Sequence, residues 1–513
     1  MPSADFDAIV IGAGHNGLVC AAYLARAGRR TLLVEARSEV GGTAASEQWS
    51  GATVNICNCD HISFRTTPVM DELRLADHGL DYLEVEPAQI NMTWGDDRAW
   101  LLQHDVEATL DSIARIDRSE ADNYRRYLRA AIPAVRLVFE AAAEPPTARG
   151  LTRQVVRSRG RGVDTLLRWS RRSAADVMRS YFSTELLRAP GLLVGPMVWG
   201  VSPETGGTGL GALTYAMRHV GKVGRPVGGS GRVPHALQRS FVANGGTLRT
   251  RTKVVAITCE SDRVRGVQLD DGTEVTAPVV VSACNPHDTF LHWLTNPPAS
   301  ARHLVRRWRS IPHADGYESK IDAVLDTAPR LPAAVAAGAP DPTAATIAVA
   351  PSLAEMHLGA ESMTRGEVLA RPGMLANVPS VLDHSLAPDG RHVLSLEVLY
   401  TPYAHPGGWP GSPEPRRWMD VFGTLVDGDL MATVRDWRAV TPDRYERDFH
   451  LPKGHATSFA GGPLAAVRNR NPELTRYETA VRGLFLTGAA TFPGAGVWGA
   501  SGRNAATVVL RRS

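Results

Sequence analysis

Two glycine-rich stretches, one at each end of the chain, place the strongest constraint on its fold. The first runs DAIVIGAGHNGLVCAAYLARAGRRTLLVEAR from Asp7, and the second runs GLFLTGAATFPGAGVWGASGRNAATVVL from Gly483. Each is typical of a buried strand, a tight glycine loop and the start of a helix. Most of the chain separates them, so a fold that uses both for one ligand must bring its two ends together.

The first stretch matches a dinucleotide-binding fingerprint in the expected context. An apolar strand at residues 7–11 leads into G-x-G-x-x-G, and a helix pattern follows over residues 18–27. A second strand at residues 31–34 then ends at the acidic Glu35. In this order the glycines allow a tight turn beside a pyrophosphate, and the helix N-terminus attracts the phosphates. The acidic side chain accepts hydrogen bonds from the ribose hydroxyls. The stretch therefore predicts a bound dinucleotide.

The residues after Glu35 favour FAD over NAD. Arg37 and then Gly41-Gly42-Thr43 resemble the second signature of FAD-containing amine oxidases and phytoene desaturases. A second glycine turn lets the backbone run beside the pyrophosphate and the flavin end, which an NAD-only domain does not need. The glycine turn at residues 228–231 lacks a preceding apolar strand, so no separate NAD(P) domain is predicted. Electrons are then expected to pass to oxygen, a quinone or the product.

Further along, the chain resembles the phytoene desaturase-like oxidoreductases. The segment from Asn377 to His392 is similar to their N-x-P-S…D…L-A-P-x-G-x-H pattern, and the C-terminal block is similar to their glycine-rich ending. Within that group the chain resembles the branch called pyridine nucleotide-disulfide oxidoreductase domain-containing protein 2. Three positions depart from the family pattern, namely Ala480, Phe492 and Ala495. These differences do not affect the prediction of FAD binding, but they weaken the inference that this chain shares the family's substrate.

The fingerprint and the resemblance together predict the residues that hold FAD. They are Gly12, Ala13, Gly14, His15, Asn16, Gly17, Glu35, Ala36, Arg37, Gly41, Gly42, Thr43, Val254, Gly488, Ala489, Gly496 and Val497. Val254 is expected to meet the adenine through backbone atoms. The helix predicted over residues 499–510 is expected to direct its N-terminus at the flavin N1/C2=O edge, where reduced flavin carries negative charge.

The expected fold is α/β, with a discontinuous Rossmann-type FAD-binding domain of the amine oxidase/phytoene desaturase type and a mixed α+β substrate domain. The FAD-binding domain is assigned residues 1–75, 225–295 and 445–513, and the substrate domain residues 76–224 and 296–444. Residues 76–222 are predicted to be mostly helical. Residues 247–258, 264–269 and 274–282 are each predicted to form one strand.

Three side chains are candidates for proton transfer beside the flavin. Lys320 lies in the strand-like YESKIDAVLD, and flavin amine oxidases carry a lysine near N5 in a similar strand; a surface or salt-bridging lysine is the alternative. His455 falls in a family motif, and His61 follows the first cofactor segment; structural hydrogen bonding is the alternative for both. No metal is expected, because Cys57 and Cys59 lack further ligands at zinc spacing and are interpreted as small buried thiols.

Composition and charge limit the binding partners and the cellular compartment that we expect for this protein. A net charge of +3 gives no indication of nucleic acid, and five cysteines favour a reducing compartment over a disulfide framework. We expect no leader peptide, no membrane span and a cytoplasmic location. Residues 149–172 hold eight arginines and one acid among apolar residues. This segment could rest on an anionic membrane surface, or it could be a solvated basic face.

The sequence thus predicts an FAD-dependent oxidoreductase that acts on a small hydrophobic substrate, unsaturated or lipid-like. The reaction is dehydrogenation or redox-neutral isomerisation, with hydride transfer at flavin N5. Two alternatives stay open at this point: a flavin amine oxidase, and an FAD-bound interaction protein with little turnover.

Overall fold

The protein was described from a computed structural model. The structure describes residues 4–57, 60–197, 200–294, 296–313, 316–455, 458–459, 461–468 and 471–512. Elements are numbered along the chain. The strands are β1 Ala8–Ile11, β2 Thr31–Val34, β3 Ser46–Trp49, β4 Ala52–Asn55, β5 Tyr82–Leu83, β6 Gln89–Thr93, β7 Trp100–Leu102, β8 Arg225–Pro226, β9 Thr247–Arg249, β10 Val254–Glu260, β11 Arg263–Leu269, β12 Glu274–Thr276, β13 Val280–Ser282, β14 Glu318–Leu325, β15 Thr346–Ala350, β16 Met374–Asn377, β17 His392–Leu399, β18 Val434–Val440 and β19 Leu484–Leu486.

The helices lie between these strands and cover the sheets. They are α1 His15–Arg26, α2 Val69–Glu72, α3 Val106–Ala114, α4 Arg118–Ala142, α5 Ala148–Arg157, α6 Val163–Trp169, α7 Ala174–Tyr181, α8 Glu185–Arg188, α9 Pro190–Leu192, α10 Thr214–Val220, α11 Arg232–Ala243, α12 Arg302–Ser310, α13 Pro332–Ala336, α14 Leu353–Thr364, α15 Glu414–Gly423, α16 Leu430–Thr433, α17 Pro442–Phe449, α18 Pro463–Arg468, α19 Pro472–Thr475 and α20 Ala500–Arg512. Among the described residues, none of these helices is both long and apolar enough to cross a membrane.

A five-stranded parallel sheet joins the two ends of the chain. Its order is β19–β13–β1–β2–β9, so the first and last strands of the chain lie in one sheet. A parallel sheet needs cover on both faces. Helices α1, α11 and α20 pack on one face, and the antiparallel sheet β10–β11–β12 with α12 packs on the other. The carboxyl ends of the strands therefore meet at a single edge, where ligands of such sheets bind.

A seven-stranded sheet, of order β18–β14–β17–β16–β15–β6–β7, forms the second layer. One face is apolar, and its residues, among them Ile321, Ile347 and Leu396, form a core with α15. The strand register directs a different set of side chains to the opposite face, because successive residues of a strand alternate. Ala348, Leu375 and Leu399 are apolar members of that face. Its polar members are buried, and comprise Gln89, Asn91, Glu318, Lys320, Asp322, Thr346, Asn377, Ser395 and Glu397.

The helices between β7 and β8 pack against the far end of that second face. Their core is aromatic: Tyr124 and Tyr127 of α4 lie beside Trp100 and Tyr215, with ring centroids 5.1–6.3 Å apart in the contacting pairs. Asp105 and Asp117 cap the N-termini of α3 and α4 through backbone N–H groups. This core packs the helices onto the sheet.

The mixed α/β fold class is confirmed, but two of the expected strands were wrong in detail. Residues 247–258 are two strands in two sheets, since the chain turns at Arg251, whose φ is +52°. Residues 274–282 are also two strands, β12 and β13, separated by Pro278, which cannot donate to a sheet. Within residues 76–222, β6 and β7 join the seven-stranded sheet through a partner, β15, that is remote in sequence. The domain boundaries stay a prediction.

Candidate cofactor and active site

A cavity of about 770 Å³ opens at the carboxyl edge of the parallel sheet. This volume falls within the range of cofactor and ligand sites. Most of the residues predicted to hold FAD line it: Gly12, Gly14, His15, Asn16, Gly17, Glu35, Ala36, Arg37, Gly41, Gly42, Thr43, Val254, Gly488 and Ala489. Ala13, Gly496 and Val497 are not among the described lining residues. Residues remote in sequence from these motifs also line it, among them Asn285, His292 and Phe449.

The first glycine loop is built without room for side chains. Gly12 has a φ of +94°, in the region that favours glycine. A Cβ on Gly17 would lie 2.0 Å from the carbonyl oxygen of Gly12, so α1 could not pack onto the loop. A Cβ on Gly14 would meet no atom within 4 Å, so its backbone faces open space. The loop therefore forms a cradle into which a phosphate group fits.

Glu35 ties the two glycine loops together. Its Oε2 accepts a hydrogen bond from the backbone N–H of Ala13 at 2.7 Å, and its Oε1 accepts one from the backbone N–H of Arg37 at 2.9 Å. The backbone N–H of Gly41 in turn donates to the carbonyl oxygen of Ala13 at 2.8 Å. A carboxylate oxygen accepts more than one hydrogen bond, so Glu35 keeps capacity for hydroxyl donors in the cavity.

Arg37 brings a positive charge to the cavity wall. Its guanidinium lies 4.2 Å from the ring centroid of Phe449 in α17, and its Nη2 lies 3.7 Å from Glu47. Its buried Nη1 has no hydrogen-bond partner among the described residues. An unpartnered buried guanidinium donor is costly unless a ligand uses it. This donor and the glycine cradle fit a dinucleotide pyrophosphate.

The C-terminal stretch meets the first loop directly. The ring of His15 hydrogen-bonds to the backbone of Gly496, although burial lowers the pKa of His15 to about 4. The backbone N–H of Gly502 lies 3.4 Å from Asn16 Oδ1, and a Cβ on Gly502 would lie 2.2 Å from the carbonyl oxygen of Asn16. The N-terminal turns of α1 and α20 thus touch, and both present N–H groups and partial positive charge near the cavity.

His61 is buried in a hydrogen-bonded position. Its Nδ1 lies 2.8 Å from the Tyr82 hydroxyl and its Nε2 lies 3.1 Å from Ser230 Oγ. Burial lowers the pKa of His61 to about 3, with a smaller contribution from nearby His15. The adjacent Asp60 is fixed by Arg225 at 2.7 Å. His61 is therefore neutral at physiological pH and close enough to His15 to interact with it electrostatically.

Stability should depend on the neutral state of these histidines. Unfolded histidine gains a proton below its ordinary pKa of 6.5, whereas folded His61 stays neutral down to about pH 3. The unfolded state therefore binds more protons, and the free energy of unfolding falls as pH drops from 6.5 towards 4, by up to about 1.4 kcal/mol per pH unit for each such histidine. In urea unfolding at several pH values, His61→Gln should flatten this slope by about one proton. A wild-type slope in His61→Gln would refute the assignment.

Lys320 lies on the buried polar face of the seven-stranded sheet. Its Nζ pairs with Asp322, and the side chains are 0% and 1% exposed. Asp322 also accepts a hydrogen bond from Arg438 Nε at 3.1 Å. This pairing agrees with the salt-bridging alternative for Lys320, and its role in proton transfer stays a prediction.

His455 packs edge-on against the ring of Tyr317, with centroids 4.6 Å apart. Burial lowers the pKa of His455 to about 4, and its Nδ1 has no hydrogen-bond partner among the described residues. Of the three predicted proton-transfer residues, none is a described lining residue of the cavity. His455 contacts Tyr317, which lies three residues before Lys320 in the chain.

Two carboxyl groups beside Lys320 were missed by the sequence analysis. Glu318 and Glu397 are 4% and 3% exposed on the same polar face. Burial raises the pKa of Glu318 to about 7, and burial together with Glu318 raises that of Glu397 well above its usual range. The alternation of polar and apolar residues in ESKIDAVL and in HVLSLEVL was the available signal. It does not reveal that the polar side of each strand is buried.

Comparison with known proteins identifies the family. The model for flavin containing amine oxidoreductase matches residues 17–317. Pyridine nucleotide-disulfide oxidoreductase domain-containing protein 2 of Mus musculus is 30% identical over 99% of this chain and 94% of its own length. The zeta-carotene-forming phytoene desaturase of Myxococcus xanthus is 25% identical over 95% of this chain and 90% of its own length.

A solved triple mutant of putrescine oxidase has the same fold, with a TM-score of 0.64 at 16% identity over 99% of both chains. The resemblance to phytoene desaturase-like enzymes and the FAD cofactor are thus confirmed. The residues assigned to FAD stay predictions that the cavity geometry fits. The chain belongs to the flavin containing amine oxidoreductase family and is an FAD-dependent oxidoreductase.

Proposed function

We propose that this oxidoreductase dehydrogenates or isomerises a hydrophobic, unsaturated or lipid-like substrate. The observation that carries the proposal is the match, over nearly the whole of both chains, to an enzyme named for desaturating phytoene. Because the match includes the regions outside the cofactor motifs, it favours an apolar substrate over a polar one. FAD supplies the hydride acceptor at its N5 atom.

The residues that line the cavity are proposed to hold FAD. Gly12, Gly14 and Gly41 let the backbone approach the pyrophosphate, and Arg37 Nη1 donates to it. Each Glu35 carboxylate oxygen accepts one backbone hydrogen bond and can accept another, so Glu35 accepts hydrogen bonds from the ribose hydroxyls. The first turn of α20 stabilises negative charge on the flavin through its N–H groups and dipole. Gly496 and Val497 are proposed to contact the ring end, next to His15.

His61 and His455 are the proposed proton acceptors of the reaction. Burial keeps each ring neutral with one unprotonated nitrogen, and the same lowered pKa makes each ring a weaker base than free histidine. Since His455 Nδ1 has no partner among the described residues, it is the better placed of the two for a proton from substrate.

A flavin amine oxidase is the second candidate. Two observations favour it: the family description names amines, and Lys320 lies on a buried strand as the amine oxidase resemblance implies. In that case Lys320 would take part in proton transfer near N5. Its ion pair with Asp322 supports a structural role equally well.

The basic segment at residues 149–172 is proposed to contact an anionic membrane surface. Helix α5 has no buried residue, and Val156 is 71% exposed among its arginines. Such a face suits the membrane interface, from which a lipid-like substrate could be drawn. Co-sedimentation tests this: binding to anionic vesicles that salt abolishes supports it, and no difference between anionic and neutral vesicles contradicts it.

Anaerobic bleaching of the flavin spectrum tests the proposed function. The purified holoenzyme is mixed without oxygen with carotenoid polyenes, lipids and primary amines in turn. We expect bleaching by an unsaturated apolar compound and none by amines. For a redox-neutral isomerisation, chemically reduced enzyme should instead convert a polyene isomer without net oxidation. Bleaching by amines alone would favour the second candidate, and no reaction with any compound would contradict both.

A further inference from the structure

Three potential metal ligands converge at one point on the buried polar face of the seven-stranded sheet. They are Cys57, just after β4, Glu318, at the start of β14, and Glu397, on the neighbouring strand β17. The ligand atoms, namely Cys57 Sγ and one carboxylate oxygen from each glutamate, all lie within 4.8 Å of one another. Because two of the ligands come from paired strands of one sheet, their separation is set by the sheet itself.

The local contacts fix two of the three side chains. Cys57 Sγ donates to Glu318 Oε1 at 3.5 Å, and the Tyr445 hydroxyl donates to the same oxygen at 3.4 Å and to the carbonyl oxygen of Ile56 at 3.1 Å. Tyr445 thus holds the Cys57 segment and Glu318 together. These contacts orient the Glu318 carboxyl group towards the Cys57 thiol. They do not involve Glu397, the third potential ligand.

Glu397 supplies the second, independent observation. Its side chain is 3% exposed and its Oε1 has no hydrogen-bond partner among the described residues. A buried carboxylate oxygen without a donor is unfavourable, so such groups are usually paired or bound to a metal. Lys320 is opposite Glu397 in the sheet but already pairs with Asp322. Either a proton or a bound cation must therefore offset the charge of this carboxylate.

We propose that Cys57, Glu318 and Glu397 bind a divalent transition-metal ion, with Zn²⁺ the best fit. A thiolate with two carboxylates suits a borderline-soft ion and excludes Mg²⁺ and Ca²⁺, which take oxygen ligands only. Three protein ligands leave one position of a tetrahedral site open for water or another oxygen donor. On binding, the Cys57 thiol gives its proton to solvent, as does any proton held by the glutamates.

The inference is independent of the proposed substrate and departs from the expectation of no metal. That expectation considered the pair Cys57 and Cys59 alone, and Cys59 lies outside the described residues. The two glutamates lie far along the chain from Cys57, so no spacing rule for zinc sites could include them.

Metal analysis of the FAD-loaded protein tests the proposal. The holoenzyme is stripped with a chelator, incubated with Zn²⁺, desalted and measured by inductively coupled plasma mass spectrometry. We expect about one zinc per chain in wild type. Cys57→Ser and Glu397→Gln should each lower zinc affinity at least about tenfold. The control Cys259→Ser, which changes a half-buried thiol on β10, should keep the wild-type zinc content.

Cobalt gives a readout that a loss of folding cannot imitate. Co²⁺ added to wild-type holoenzyme should produce a thiolate-to-cobalt charge-transfer band in the difference spectrum, and Cys259→Ser should retain it. The band should be absent in Cys57→Ser of unchanged FAD content. No zinc or cobalt in wild type, or a full band in Cys57→Ser, would overturn the proposal. If Cys57→Ser does not fold, the zinc content and the cobalt band of wild type and of Glu397→Gln test the proposal.

Discussion

Replacement of Gly17 by valine is expected to abolish FAD binding. The new Cβ would lie 2.0 Å from the carbonyl oxygen of Gly12 and 2.9 Å from the Cβ of Ala283, so the start of α1 must move away from the loop. The backbone N–H groups of the cradle then no longer face the phosphates. We expect the purified variant to be colourless and its FAD affinity to fall by more than about a hundredfold, or about 2.7 kcal/mol.

A matched glycine controls for loss of flexibility alone. A Cβ on Gly206 meets no atom within 4 Å, and Gly206 has no positive φ. Gly206→Ala should therefore bind FAD like wild type. The content of FAD is measured by absorbance after release from denatured protein, and circular dichroism checks that Gly17→Val has kept its secondary structure. A yellow Gly17→Val protein with wild-type FAD content would contradict the assignment of this loop.

Replacement of Lys320 by methionine is expected to cost about 3 kcal/mol of stability. The change leaves the buried Asp322 with one of its two ion-pair partners among the described residues, Arg438, in a region that also holds the carboxyl groups of Glu318 and Glu397. A buried charge that loses its partner is strongly destabilising. Methionine keeps most of the side-chain volume, so little of the loss comes from packing. Urea unfolding followed by tryptophan fluorescence measures the change.

An exposed lysine provides the comparison. Lys222 is exposed, and Lys222→Met should change stability by less than about 0.5 kcal/mol. A loss equally small in Lys320→Met would show that the Lys320–Asp322 pair contributes little. Flavin reduction in the folded fraction of Lys320→Met separates the two candidate functions: an unchanged rate argues against a proton-transfer role and so against the amine oxidase.

Most residues predicted to hold FAD line one cavity, whereas those predicted for proton transfer do not, because the two predictions depend on different kinds of pattern. Gly17 and Glu35 follow from local order, since strand, turn, helix and acid succeed one another within one βαβ unit. The contact between Arg37 and Phe449 joins segments far apart in the chain, and no local pattern encodes it. The break at Arg251 was likewise invisible, because both halves of that segment have strand composition.

The buried polar face shows the same limit. The alternation Glu318–Lys320–Asp322 indicates one face of a strand, and such a face is normally solvated in an antiparallel sheet. Its burial results from the helical layer and the first cofactor segment, which pack over it through remote contacts. Glu397 therefore gave no sign of being unpartnered, and Cys57 none of having carboxylate neighbours.

The FAD content of the wild-type protein tests the central claim, that both ends of the chain build one FAD site. The purified protein should be yellow, with flavin absorbance maxima, and should release about one FAD per chain on denaturation. Apoprotein made by removing the flavin should recover the same content when FAD is added. A colourless protein that cannot be reconstituted with FAD would contradict the claim.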